Sequence, residues 1–310
     1  MKIVLTGGSG FIGKHTANML CRDKSNKVYN IDRVLSGNPN LTQICGDIED
    51  LHLNQIFQTI KPDAIIHLAA DHIISKDLIE PEKYYFNNVA NTLKILRAAT
   101  HSKVKYFIFS STSAVYESKA NTPFTETDLL NPSTVYGKSK KMIEEILVDY
   151  EKAHGLKYVS LRYFNAAGSG YVTTPPSHLI PIICKRVKNK EIVQVYGRNY
   201  PTKDGTCIRD YTHVVDIASS HVSALNYLIE KNTSNVFNVG SGVGSSIFDV
   251  FKCFEYITNR KVEYEICENR AGDNPYSVAS IAKAKKILNW KPIYSLENII
   301  EDAFKWELYG

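Results

Sequence analysis

The sequence predicts an α/β fold: a doubly wound parallel sheet with a smaller α/β domain interleaved. Three observations carry this expectation. Short β-rich runs alternate with helical patterns through the first half of the chain. The runs are continuously apolar rather than alternating, as strands covered on both faces require. The first run, Ile3-Val4-Leu5, passes through a glycine turn directly into a helical pattern.

Taken in order, strands are expected at 2–5, 27–31, 41–45, 64–68, 105–110 and 158–162. Helices are expected near 11–22, 50–59, 81–100 and 135–153. Right-handed crossovers turn this alternation into a doubly wound sheet. Beyond Asn165 the regularity fades. Residues 166–178 are rich in Gly, Thr, Pro and Ser and read as a loop. A helix from about Leu179 to Asn189 follows, then a Gly-rich polar segment over 197–206, a helix at 214–230 and a strand at 235–239. The remainder mixes helices with a short strand at 262–266. The expected division is 1–165 for a dinucleotide domain and 166–310 for a substrate domain, with segments near 211–240 returning to the first.

Composition narrows the class. Of 310 residues, 44% are hydrophobic and 22% charged, which places the chain among globular proteins. The net charge of +5 comes from scattered basic residues, so no nucleic-acid stripe is expected. No apolar run approaches the roughly 18 residues of a membrane span, and a cytoplasmic location is expected. Cys21, Cys45, Cys184, Cys207, Cys253 and Cys267 include no two at metal-clip spacing. They read as reduced, idle thiols, and no metal site is expected.

Two motifs carry chemistry. In Thr6-Gly7-Gly8-Ser9-Gly10-Phe11-Ile12-Gly13, one glycine permits the turn, one lets backbone approach a pyrophosphate, and one lets helix pack on strand. The helix N-terminus favours phosphate, and Asp32 ends the next apolar run. In Tyr136-Gly137-Lys138-Ser139-Lys140, Tyr136 and Lys140 are four apart and share a helix face. Free tyrosine titrates near 10, too high for a base at neutral pH, and a neighbouring ammonium favours the phenolate. Thr112 ends a strand at the carboxyl edge, where such sheets bind ligands, and can pass a proton to Tyr136. Each motif also has a plain alternative: an ordinary tight turn, a helix start with surface lysines, and a strand-end hydroxyl capping local backbone.

Together the glycine turn, the hydroxyl and the Tyr-x-x-x-Lys pair resemble the extended short-chain dehydrogenase/reductase superfamily, with its Rossmann-type fold. Five further stretches resemble the UDP-glucose 4-epimerase family over nearly the whole chain. They are Tyr84-Tyr85-Phe86-Asn87-Asn88-Val89, Leu161-Arg162-Tyr163-Phe164-Asn165, the run from Gly197 to Thr206, Arg209-Asp210-Tyr211-Thr212-His213-Val214, and Arg270-Ala271-Gly272-Asp273.

The resemblance implies NAD as cofactor. Gly7, Gly10 and Gly13 would form its turn, Phe11 and Ile12 would present amides to the pyrophosphate, and Asp32 would bind the adenosine ribose. Asp47 and Ile48 would flank the adenine, and Leu68, Ala69, Ala70 and Asn87 would line the cofactor. Lys140 would bind the nicotinamide ribose, beside Phe164. Asn165, His178, Leu179, Tyr196, Arg209, Arg270 and Asp273 would hold a UDP-hexose, with Ser277 near the sugar's 2-substituent unless the register places Tyr276 there. Tyr136, Lys140 and Thr112 would be catalytic: Tyr136 takes the 4-hydroxyl proton, NAD takes the hydride, and a 4-keto sugar turns over before both return. A homodimer through the helices near 84–100 and 136–153 is implied as well.

The chain departs from the family pattern at Thr112 (usually Ser), Glu117 (usually Gly), His72 (often Lys) and His178 (often Asn). Arg33 follows Asp32, but Asp32 would repel a 2′-phosphate, so NAD is expected over NADP. Competing readings are a 4,6-dehydratase, a uronate 4-epimerase and a non-catalytic NAD sensor. The first needs an Asp-Glu pair after the strand-end hydroxyl, where this chain has Ser113 and Ala114.

Overall fold

The computed structural model describes residues 1–72, 79–118, 123–170, 176, 178–270 and 273–310. Strands β1 (Lys2–Thr6), β2 (Lys27–Asp32), β3 (Leu41–Cys45), β4 (Ala64–His67), β5 (Tyr106–Thr112) and β6 (Lys157–Tyr163) fall where the apolar runs place them. They are followed by β7 (Asn165–Ala167), β8 (Val193–Tyr196), β9 (Ile208–His213) and β10 (Asn235–Val239), then β11 (Gly244–Ser246), β12 (Tyr264–Cys267) and β13 (Tyr276–Ser277).

Seven strands form one parallel sheet in the order β10-β6-β5-β4-β1-β2-β3. The strand expected at 235–239 is its edge, paired with β6. Each strand feeds both faces. In β1, Ile3 and Leu5 join one apolar core while Val4 joins the other. In β5, Ile108 faces the first, and Phe107 and Phe109 the second. That two-sided burial is why the central strands β1 and β4 carry unbroken apolar runs.

Helices α1 (Phe11–Leu20), α2 (Leu53–Ile60), α3 (Pro81–Tyr84), α4 (Asn91–His101) and α5 (Val135–His154) accompany the first six strands. The helix expected at 81–100 is interrupted: residues Tyr85–Ala90 between α3 and α4 are π-helical. Thr134 caps α5 by accepting from Gly137 N at 3.0 Å. In the second half lie α6 (Leu179–Asn189), α7 (Val214–Lys231), α8 (Ile247–Thr258), α9 (Ala282–Ile287) and α10 (Leu296–Tyr309). A third core fills this half, built on Ile180, Ile183, Val195, Phe254, Ile300 and Phe304.

Between Asn165 and the helix at 214 the expected helix Leu179–Asn189 forms, and three strands that were not expected accompany it. Strand β9 is central to a small sheet: it pairs with β11, β13 and β7. Among the described residues no helix is long and apolar enough to cross a membrane, and no three His, Cys, Asp or Glu side chains are grouped to hold a metal.

Candidate active site

The strand order reverses at β1, with β2 on one side and β4 on the other. A crevice opens outside the carboxyl ends of the strands at such a switch point. The glycine turn sits there. Gly7 has φ +76°, and a Cβ on it would lie 2.7 Å from Ala69 N. A Cβ on Gly13 would lie 2.0 Å from Gly7 O, so α1 could not pack on the turn. Gly10 differs. A Cβ there would have one protein atom within 4 Å, Gly7 O at 3.2 Å. Packing does not demand a glycine at position 10; close approach by a ligand does. Gly10 also caps α1 without a side chain, leaving that helix end to an anion. The turn therefore fits a dinucleotide pyrophosphate.

Asp32 closes the next wall, accepting from Ser9 N at 2.9 Å and Val34 N at 3.1 Å. Arg33, the residue after Asp32, is paired with Asp47 at 3.6 Å. Leu68 N and Ala69 N are tied to Thr6, at 3.0 and 3.5 Å. The Thr6 hydroxyl meets His67 Nδ1 at 2.7 Å, and His67 Nε2 meets Thr92 at 2.7 Å. Burial pushes His67 down to about 3, which keeps it a neutral link in this chain.

The catalytic candidates converge at the end of β5. Lys140 is buried, donates from Nζ to Ser110 O at 2.8 Å, and lies 4.7 Å from the Phe109 ring centroid. Burial lowers it to about 7, opposed by the charge of Glu144. Tyr136 is half-buried, with its phenol deep in the cleft and hydrogen-bonded to Thr112. Burial pushes this phenol up to about 12, and the Thr112 bond pulls it back down. A neighbouring ammonium favours the phenolate, but in the protein alone desolvation is the larger effect. Thr112 Oγ1 already accepts from Ala114 N at 3.1 Å, so its own proton is available to the Tyr136 oxygen, the arrangement that favours phenolate.

The second half of the chain contributes cations. Arg209, on β9, donates from Nη1 to Asn274 O and lies 3.8 Å from Asp273. Arg270 stacks on the Tyr196 ring, 3.7 Å from its centroid. Its neighbours Ala271 and Gly272 lie outside the described residues. His178 begins α6 just before Leu179, and its ring stacks on His72 with centroids 6.1 Å apart. Burial lowers His178 to about 4 and also lowers His72, so both are neutral at pH 7. Asn165 pairs with Tyr211 in register. Phe164 is buried against Phe124 in the first apolar core. Asn87, in the π-helical segment, donates to the Asp71 carboxylate.

Sequence reading missed several supporting residues. Asn88 accepts from Asp71 N at 2.8 Å and donates to Asp71 O and Ser139 Oγ, both at 3.0 Å. It thus ties the loop after β4 to the turn of α5 between Tyr136 and Lys140. Glu144 and Arg162 form a buried ion pair at 2.6 Å beneath the same site. Its sequence signal was an acidic residue four positions beyond Lys140, inside an apolar helix face.

Fold and site together define a dinucleotide-binding α/β protein with a Tyr–Lys pair poised for proton transfer. Residues 3–240 match the model of the NAD dependent epimerase/dehydratase family, and the chain belongs to that family. Among similar curated proteins, the UDP-glucose 4-epimerase of Lacticaseibacillus casei is 38% identical over 320 residues, 99% of this chain and 96% of that one. A solved UDP-glucose 4-epimerase from Stenotrophomonas maltophila, with bound NAD and formylated UDP-arabinopyranose, superposes with TM-score 0.94 at 31% identity, covering 99% of this chain and 98% of that one. The UDP-Glc/GlcNAc 4-epimerase of Campylobacter jejuni superposes with TM-score 0.87 at 34% identity, covering 99% of each.

Proposed function

We infer that this chain is an NAD-dependent 4-epimerase of UDP-hexoses. The observation that carries the reading is the cluster of Thr112, Tyr136 and Lys140 at the carboxyl edge of the sheet, facing a turn whose Gly10 is left open for a pyrophosphate. Gly7 to Gly13, Asp32, Asp47, Ile48, Leu68 to Ala70, Asn87 and Lys140 would hold the cofactor. When bound, NAD supplies a reversible hydride acceptor and a positive charge beside the phenol. Tyr136 moves the proton of the sugar 4-hydroxyl, Thr112 hydrogen-bonds the reacting oxygen, and Lys140 holds both the ribose and the local charge. Ser113 and Ala114 follow Thr112, so no carboxylates stand there to eliminate water, which disfavours a dehydratase.

Arg209 and Arg270 suit the diphosphate, since a guanidinium fork bonds phosphate oxygens in pairs. Tyr196 offers a ring for the base, Asp273 an acceptor for ribose hydroxyls, and Asn165, His178 and Leu179 border the sugar. A sugar that must present both faces would be held by few side chains, while the nucleotide is gripped firmly. Ser277 leaves room for a 2-acetamido group, which extends the substrates to the UDP-N-acetylhexosamine pair. The working form is a cytoplasmic homodimer. Phe86, Leu93, Met142 and Val148 are exposed apolar side chains on the π-helical segment, α4 and α5, and a second copy would cover them.

The test is direct. Purified protein is incubated with UDP-galactose, without added NAD, and the products are separated. UDP-glucose should form, and denaturation of the same sample should release NAD. A loaded enzyme that leaves UDP-galactose unchanged would refute the epimerase reading.

A further inference from the structure

Glu144 lies one helical turn beyond Lys140 on α5, and its side-chain hydrogen bonds go to Arg162 and Ser111, neither of them assigned to cofactor or substrate. Its carboxylate is saturated with donors. Arg162 Nε donates to its two oxygens at 3.0 and 3.2 Å, Arg162 Nη2 donates to Oε2 at 2.6 Å, and Ser111 Oγ donates to Oε1. Arg162 Nη1 goes on to the Tyr116 hydroxyl at 2.9 Å and to Glu126 O at 3.3 Å. The two side chains are only 4% and 7% exposed. Burying such a pair costs more desolvation than an apolar pair of the same volume, so stability alone does not account for it.

Its placement does. Three successive residues end β5, and each makes a different tie: the Ser110 carbonyl holds Lys140, the Ser111 hydroxyl holds Glu144, and the Thr112 hydroxyl holds Tyr136. The ionisable groups that face Lys140 are Tyr136 and Glu144 on its own helix, His67 on β4 and His72 after β4. The two histidines are neutral at pH 7, and Lys140 works against protonation of both. Among these groups Glu144 is the one that favours the ammonium form of Lys140.

We propose that Glu144, clamped by Arg162, is a positioning residue of the epimerase site: through Ser111 it fixes the end of β5 that holds both catalytic groups, and its carboxylate, one helical turn from Lys140, favours the ammonium form. This rests on the assignment of Tyr136 and Lys140 above. Removing the charge lowers the Lys140 pKa, so the ammonium is lost at lower pH and the alkaline limit of kcat moves toward acid.

Three variants test it: Glu144→Gln, Glu144→Gln with Arg162→Met, and Ser111→Ala. The double variant leaves no unpaired guanidinium, so it keeps the test open should the single variant fail to fold. Two readouts apply: kcat and KM against pH, and titration of Lys140 by NMR of protein labelled with 13C-lysine, its resonance identified by loss in Lys140→Met. The Lys140 titration and the alkaline limit should both shift down in the double variant. The shift should be larger in Glu144→Gln if that variant folds. Ser111→Ala keeps the charge, so its limit stays put while kcat falls about tenfold at constant KM. A folded double variant with the parent's Lys140 titration and pH profile overturns the proposal, and so does a Ser111→Ala enzyme with the parent's kcat. An inactive parent would instead refute the epimerase assignment, leaving the NMR shift to judge the electrostatic part.

Discussion

Substrate breadth turns on which of two adjacent residues faces the sugar. Strand β13 pairs parallel with β9, Tyr276 opposite Ile208 and Ser277 opposite Arg209. Side chains in register share a face of the sheet, and successive ones alternate. Ser277 is thus on the face of Arg209. Tyr276 is on the other, where a Cβ at Gly244 would come 4.0 Å from its ring. If Arg209 holds the diphosphate as proposed, Ser277 is the residue on the sugar's side and the prediction is an open pocket. Ser277→Tyr would force a phenol into a position only 9% exposed. Overfilling a packed site costs about 1–3 kcal/mol. At about 1.4 kcal/mol per tenfold, kcat/KM for UDP-N-acetylglucosamine and UDP-N-acetylgalactosamine should fall about 5-fold to 150-fold. The smaller 2-hydroxyl of UDP-glucose and UDP-galactose should suffer much less. The assay is chromatographic separation of each epimer pair after incubation with the parent, Ser277→Tyr and Tyr276→Ala. A parent inactive on N-acetylated sugars, with activity gained in Tyr276→Ala, would refute the reasoning and move the gate to Tyr276.

Three other outcomes are expected. Tyr136→Phe should lower kcat by about 10²- to 10⁴-fold while calorimetry finds UDP affinity nearly intact; near-normal turnover would remove Tyr136 as the base. Thr112→Val deletes a hydrogen bond that lowers the Tyr136 pKa, so the rise of kcat with pH should move to higher pH, whereas Thr112→Ser should keep the parent profile; a superimposable profile for Thr112→Val would reduce Thr112 to a strand-end cap. Light scattering at micromolar concentration should give twice the monomer mass, and Phe86→Asp should halve it; a monomeric parent would contradict the dimer.

The cofactor half was legible because its determinants are local. The glycine turn spans eight residues between a strand and a helix, and Tyr136 and Lys140 lie four apart on one helix. The sheet was legible because both of its faces are buried, which leaves no polar alternation to misread. What was lost needed contacts between distant segments. Glu144 and Arg162 meet across 18 residues, from α5 to β6, and neither is unusual until the other is placed beside it. The π-helical segment carrying Asn87 and Asn88 has no periodicity of its own, because one widened turn shifts the helical phase without ending the helix. The upward push on the Tyr136 pKa was out of reach for a related reason: proximity to Lys140 can be read from spacing, but desolvation cannot.

Strand β9 shows the limit most clearly. Its sequence, Ile208-Arg209-Asp210-Tyr211-Thr212-His213, is largely polar and was not read as a strand. Yet Asp210, Thr212 and His213 are fully buried or nearly so. They are buried because they are satisfied. The Asp210 carboxylate accepts from Ser241 N at 2.7 Å, Gly242 N at 2.9 Å and Ala279 N at 3.2 Å. Burial raises its pKa, and these donors oppose the rise. One carboxylate thereby binds β9 to the loop after β10 and to the segment leaving β13. The face of β9 opposite Asp210 carries Arg209, and a strand pinned on one face can hold a guanidinium steady on the other. A site that must grip a diphosphate while the attached hexose turns needs that asymmetry. Here it comes from a polar strand whose anchors, at 241, 242 and 279, lie at least 31 residues away in sequence.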